Sequence, residues 1–461
     1  MDLFKDLIPK EKQHPNFRVI ASSEIFEHER TVLRDWAEGF TDRDNKFVKE
    51  FQTTFNSSFW ELYVFACFKK LAFACDFSYD SPDFVLSSPS GALVAEAVIA
   101  SHPEGYAPEW NKDPTKDQIS EIDIAIMLEL ASIRLANAIT SKHQKYVDHY
   151  SKMKHAKKKP FVICLAPFEQ PYFFIQHDNA LCRVLYKFDQ PLYVDDPVTG
   201  ERHYLGESHI QEAQKITGSP VSFGYFTDAR MDDVSAIFFS CTATFTKVRA
   251  ISETNDYPVL FFARRYNAQD KEPHQIAASK PNYEESLLDG VHVCFNPFAR
   301  YPLDPTLFLD REIAIHHYFP QSQSYMVDAP DGFLIEHGCI SLPPSKKLRE
   351  LKKLKKAKGK YKIHKTTPWP EGQLKHIGGY TGPFSDNHMG HFNGWTIVVA
   401  YDCVDRDWGA QAIEGSYKTL AEYVNANSKR KGELLLLDKW YTTKEEVIEA
   451  MKAKIKKMGK N

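Results

Sequence analysis

Two acids stand where the chain makes an acid expensive. Glu96 lies inside the apolar run 93–99, flanked by Leu93, Val94, Ala95, Ala97, Val98 and Ile99. A carboxylate within such a run must meet a cation or a proton to be buried. Asp83 follows Pro82, thirteen residues earlier, at the start of another extended segment. Two carboxylates on neighbouring strands can share one hard divalent cation, whose preferred ligands are carboxylate, carbonyl and water. Glu61, set among Trp60, Leu62 and Tyr63, is a third candidate acid, and Arg134, Lys142 and Lys145 are the cations that follow. Arg134, Ala138 and Lys142 are spaced four apart, and Arg134, Ser141 and Lys145 also fall near one helical face.

The elements that must position these groups are readable from periodicity. Phe59, Trp60, Tyr63, Val64, Cys67, Phe68 and Leu71 recur at helical steps, which predicts an amphipathic helix with Asn56, Ser57 or Ser58 as its N-cap. Extended segments at 72–79, 82–86 and 92–100 follow, separated by turn formers at 80–81 and 87–91. After a loop at 101–118, a long helix is expected from Ile119 to about Tyr150, with Ile122, Ile126, Leu130, Ile133 and Ala138 as its apolar stripe. Residues 161–166, FVICLA, read as a buried strand. Further strands are expected at 234–240 and 291–295, a hairpin turn near 195–200, and short helices around 23–36 and 44–55.

The order helix, three strands, long helix, strand, carrying Glu61, then Pro82-Asp83-Phe84, then Glu96-Ala97-Val98, resembles the PD-(D/E)XK nuclease superfamily over roughly residues 56–166. The resemblance implies an α/β protein with a restriction-endonuclease-like αβββαβ core and a mixed sheet. It further implies Mg²⁺ (or Mn²⁺) held by Asp83, Glu96 and Glu61, with a backbone carbonyl beside Glu96 as a further ligand and a lysine to orient the attacking water. The chain departs from the pattern at Val98, which stands where that lysine is usual. Some members of the superfamily take it from the helix after the third strand, which points here to Lys142 first and Lys145 second, with Arg134 as a nucleic-acid contact. The implied function is Mg²⁺-dependent hydrolysis of DNA, with RNA as the lesser alternative, in a restriction or antiviral setting. Val98 keeps a second reading open, in which the same fold binds nucleic acid or a partner protein without cutting.

Composition sets the frame around this core. The chain has 461 residues, 43% hydrophobic and 26% charged, with a formal net charge of −3, so no global basic field announces a polyanion. The charge is local: residues 346–365 hold eleven Lys or Arg and a single acid, Glu350. Within them Lys352, Lys353, Lys355 and Lys356 are candidate phosphate contacts. The expected organisation is a helical extension at 1–50, a nuclease-like domain with an extended sheet at 51–300, a connecting region at 301–365 ending in the basic segment, and a C-terminal α+β domain at 366–461. In that last domain, strands are expected at 395–402 and 433–437 and a terminal helix at 442–457, capped by Thr442 or Thr443.

A competing site is the sequence Asp386-Asn387-His388-Met389-Gly390-His391, whose histidine pair could hold Zn²⁺ or Mn²⁺ with Asp386 or Asp402. Gly390 and Gly394 favour a surface loop there. The eight cysteines contain no CxxC pair and read as buried thiols. Phosphate-loop and dinucleotide-turn glycine patterns are absent from the sequence. No apolar run approaching ~18 residues and no signal-peptide core is apparent, so a cytoplasmic protein without a membrane partner is expected. Target sequence, partner proteins and homo-oligomerisation stay open.

Overall fold

The computed structural model describes residues 1–111, 123–195, 202–215, 218–255, 259–269, 273–308, 312–341, 374–376, 384–402, 407–417, 434–437, 441 and 443–458. The described residues up to 341 form one compact unit, and those from 374 onward belong to a second.

The first unit opens with helices α1 (Pro15–Ser22), α2 (Glu27–Trp36), α3 (Phe47–Thr53) and α4 (Phe55–Lys70). Strands β1 (Ala74–Cys75), β2 (Phe84–Ser88) and β3 (Gly91–Ser101) lead to the long helix α5 (Ile124–Asp148) and to β4 (Phe161–Phe168). Helix α6 (Asn179–Tyr186) precedes two small antiparallel pairs, β5 (Phe188–Asp195) with β6 (Arg202–His209) and β7 (Glu212–Gln214) with β8 (Pro220–Ser222). Then come β9 (Ala236–Phe239), α7 (Phe245–Ile251), β10 (Val259–Arg265), β11 (His274–Ala278), β12 (Val291–Phe295), β13 (Ile313–Phe319), β14 (Ser324–Asp328) and β15 (Leu334–Ser341).

Eight strands make one mixed sheet in the order β1-β2-β3-β4-β9-β12-β13-β14. The meander β1-β2-β3 is antiparallel, whereas β3, β4 and β9 run parallel, as a strand pair joined by a crossover helix such as α5 requires. Strand alternation sends Leu93 and Ala95 of β3 to the α4 side with Trp60 and Phe68, and Val94 to the α5 side with Ala131, Leu135 and Ile139. β4 is covered on both faces, which its unbroken apolar sequence permits. A separate three-stranded sheet has the order β11-β10-β15.

Several expectations change. The segment expected at 72–79 is a strand only at Ala74–Cys75, because an aspartate-centred turn follows, with Ser78 N donating to Asp76 Oδ1. α4 starts at Phe55, and none of Asn56, Ser57 and Ser58 caps it; the Asn56 amide instead donates to Glu109 at 2.9 Å. Nor is α4 amphipathic: it is buried nearly all round, between the sheet and α1 to α3, the position a wholly apolar helix takes. On α5 the expected stripe is met in part: Ile133 and Ala138 pack against the core, whereas Ile126 is 66% exposed and Leu128, Ala131, Leu135 and Ile139 form the buried face. Ile122 lies outside the described residues. By length and composition, residues 124–152 are apolar enough to cross a membrane. Residues 313–341, expected in a connecting region, instead add β13 and β14 to the large sheet and β15 to the small one. The turn expected at 195–200 lies outside the described residues beyond Asp195.

In the second unit, β16 (Leu374–His376), β17 (Phe384–Phe392), β18 (Trp395–Asp402), β19 (Asp407–Glu414) and β20 (Leu434–Leu436) form an antiparallel sheet in sequence order, with the C-terminal helix α8 (Lys444–Met458). Val447, Met451 and Ile455 of α8, spaced four apart, pack with Ile397, Val399 and Leu435. Thr443 and Glu446 exchange side-chain-to-backbone bonds at the start of α8, a capping box. The loop expected around His388 and His391 is strand β17, paired with β18. Residues three apart on a strand point to opposite faces, so the two histidines cannot converge on one ion. His388 is buried and His391 bonds Thr396 instead. The side chains of Asp386 and Asp402, and the basic candidates Lys352, Lys353, Lys355 and Lys356, lie outside what is described.

Candidate active site

Register brings the two acids together. Phe84 faces Ala95 across the β2–β3 pair, which sets Asp83 beside Glu96. Asp83 N donates to Glu96 Oε2 at 3.2 Å, and Ala97 N donates to Asp83 Oδ2 at 2.8 Å. By alternation Glu96 shares the α5 side of the sheet with Val94 and Val98.

Helix α5 then delivers its two lysines. Lys142 Nζ and Lys145 Nζ each donate to Glu96 Oε1 at 2.8 Å, as residues three apart on one helical face can. The Tyr150 hydroxyl, from the turn after α5, donates to Glu96 Oε2 at 3.0 Å. Glu96 is 1% exposed, whereas the side chains of Lys142 and Lys145 are 20% and 44% exposed. The site therefore has a fixed buried acid and two cations on the solvent side of it. Val98 packs against the α5 side of the core, and α5 supplies the ammoniums that this valine lacks.

Glu61 arrives from α4. It lines, with Asp83, Arg43 and Glu50, a cleft of about 380 Å³. Among the described residues neither the Glu61 carboxyl nor Asp83 Oδ1 accepts a hydrogen bond. Burial, then the neighbouring Asp83 charge, pushes the Glu61 carboxyl up to about 8. Asp83 is raised to about 6 by burial and then by Glu96. For Glu96 burial acts upward as well, but Lys142 and Lys145 outweigh it and hold that carboxyl below the ordinary range. The Tyr150 phenol is raised by burial and by Glu96.

Arg134 is placed differently from the other cations. Its Nε donates to Ser101 O at 2.7 Å, so it ties α5 to the end of β3, and Glu96 finds its ion pairs in the two lysines instead. Tyr150 and Arg43 were not found from the sequence. Tyr150 lies across the end of α5 and Arg43 in a loop before α3, where helical and strand spacing carry no information.

The oxygens of Asp83, Glu96 and Glu61 are donors suited to a hard divalent cation. They do not bring three ligand atoms within 4.8 Å of one another; among the described residues the set that does is Asp178, Cys182 and His316. No family model, no curated protein and no solved structure matches the chain.

Proposed function

We propose that the chain is a metal-dependent nuclease of PD-(D/E)XK type that hydrolyses DNA phosphodiester bonds. The observation that carries this reading is the convergence of Lys142 and Lys145 on one oxygen of Glu96, beside Asp83. An αβββαβ order within a mixed sheet supports it, as do the acids Glu61 and Asp83, each raised first by burial and then by a neighbouring carboxylate, a cluster that a divalent cation would relieve. Asp83, Glu96 and Glu61 would hold Mg²⁺ or Mn²⁺, which when bound would lower the pKa of a water and offset charge on the phosphate.

The chain's own groups do the rest. Tyr150 and the Asp83 amide fix Glu96 Oε2, and so fix the carboxylate plane. Lys142, the more enclosed cation, holds the attacking water in line, and Lys145, reaching further into solvent, meets the phosphate. Activity of this kind, joined to a separate second unit, suits restriction or antiviral defence by analogy of fold alone.

Supercoiled plasmid incubated with Mg²⁺ or Mn²⁺ tests the proposal. Wild type is expected to nick it, Asp83→Asn and Glu96→Gln to abolish nicking, and Lys142→Met to slow it ~100-fold or more. Equal nicking by wild type and Glu96→Gln overturns the assignment. If neither nicks, DNA retention by both identifies the non-cutting reading.

A further inference from the structure

We propose a second metal site, for a zinc-class divalent cation, built from Asp178, Cys182, His292 and His316 on the far part of the large sheet. Asp178 is the N-cap residue of α6 and Cys182 follows one turn later, so both face the same way. His292 and His316 come from the adjacent parallel strands β12 and β13, where His292 faces Ala314 and Cys294 faces His316. Both histidines therefore point to the α6 side, on which Cys294 packs.

The donor atoms converge. Asp178, Cys182 and His316 offer ligand atoms that lie within 4.8 Å of one another. Asp178 Oδ2 is 3.7 Å from Cys182 Sγ, 3.8 Å from His316 Nε2 and 4.0 Å from His292 Nδ1. His292 Nδ1 is 2.8 Å from His316 Nε2. Bonds of about 2.0–2.3 Å to a tetrahedral ion place ligand atoms roughly 3.3–3.7 Å apart; Asp178, Cys182 and His316 form the core of the site, and His292 reaches it as a fourth ligand by side-chain adjustment.

Three features mark a site for a metal of this class. Thiolate and imidazole donors favour zinc over magnesium. One carboxylate and one thiolate balance a dication, so the loaded site is neutral and tolerates burial. Tyr325 supplies an outer partner: its hydroxyl is 2.5 Å from His316 Nδ1 and 3.2 Å from Cys182 Sγ. With Nδ1–H donating to the Tyr325 oxygen, and the Tyr325 O–H donating to sulfur, the Nε2 lone pair of His316 is turned toward Asp178. Cys182, His292 and His316 are buried, while the Asp178 side chain is 24% exposed and gives the ion its way in. Cys182 releases its thiol proton to solvent as the metal–sulfur bond forms, and His292 shifts its ring proton from Nδ1, where it meets His316 Nε2 at 2.8 Å, to Nε2, so that Nδ1 can coordinate.

Full-length protein purified without chelator is analysed for bound metal, then stripped and titrated with Zn²⁺ alone against a chromophoric chelator and with Co²⁺ alone by absorption. One zinc per chain and a thiolate-to-Co²⁺ charge-transfer band are expected. Cys182→Ser loses the band, Tyr325→Phe weakens zinc binding about 10- to 100-fold, and Glu96→Gln leaves both readouts unchanged. A wild-type chain that takes up no equimolar Zn²⁺, or binds Co²⁺ without the band, overturns the proposal whatever the variants do. Persistence of the band in Cys182→Ser does the same.

Discussion

Glu96 is a buried carboxylate carrying two ammoniums on one oxygen, and that redundancy has a measurable signature. Losing either lysine alone leaves one cation in place. Lys142→Ala is expected to lower stability by about 1–2 kcal/mol, and Lys145→Ala, whose side chain is 44% exposed, by less than about 1 kcal/mol. The double variant should cost more than the sum of the two, because only then is the buried charge uncompensated. Urea unfolding of the four proteins checks this, and strict additivity refutes it. Glu96 is legible in the sequence because an acid in an apolar run is physically anomalous, Asp83 because it follows Pro82 at the start of the preceding strand, and the lysines because helical spacing is regular. The cluster of Asp178, Cys182, His292 and His316 was not. It is assembled from a helix start and two strands distant in sequence, and no local pattern records that meeting.

At the scale of elements, an apolar run locates a strand more securely than helical spacing locates a buried face. β12 and β18 fall where their β-rich sequences put them, yet on α5 only part of the expected stripe is buried: Ile133 and Ala138 pack against the core, while Ile126 is apolar and still faces solvent. β17 was hidden by Gly390, which strand pairing with β18 overrides. The turn after β4 shows an element set by a buried polar group. Glu169 is fully buried; Gln170 and Gln176 both donate to its Oε1, Oε2 has no partner among the described residues, and Arg134 is the charged group acting on it. Burial raises this carboxyl from 4.5 to about 7, against the pull of those amides and Arg134. The folded chain therefore binds the proton more tightly than the unfolded one. Stability that is full below the unfolded value falls as pH rises toward about 7, and the loss is complete above it. Glu169→Gln, neutral throughout, should remove this part of the slope and unfold at higher urea than wild type at pH 8. A wild-type-to-variant difference that does not change between pH 5 and pH 8 refutes the account.

At the scale of the whole chain, the net charge of −3 is an average over unlike parts. Eleven cations between 346 and 365 leave the rest distinctly acidic, and the cleft beside Asp83 is lined by Asp42, Asp44, Glu50 and Asp80 as well as Glu61. If the chain cuts DNA as proposed, this acidic cleft repels the substrate, and affinity has to come from a cationic element elsewhere, of which the basic segment is the densest in the sequence. Binding through it should be dominated by counterion release, with log Kobs falling linearly with log salt by about 0.9 for each phosphate contacted. Replacing Lys352, Lys353, Lys355 and Lys356 together by alanine is then expected to flatten that slope by up to about 3–4 and to weaken binding equally across DNA sequences. Cleavage at saturating DNA should be unchanged, because the nucleophile and its lysines are untouched. Fluorescence anisotropy with labelled duplexes over a range of salt measures the slope directly. An unaltered slope would assign the segment to a solvated linker and return the burden of DNA binding to Lys142, Lys145 and their surroundings.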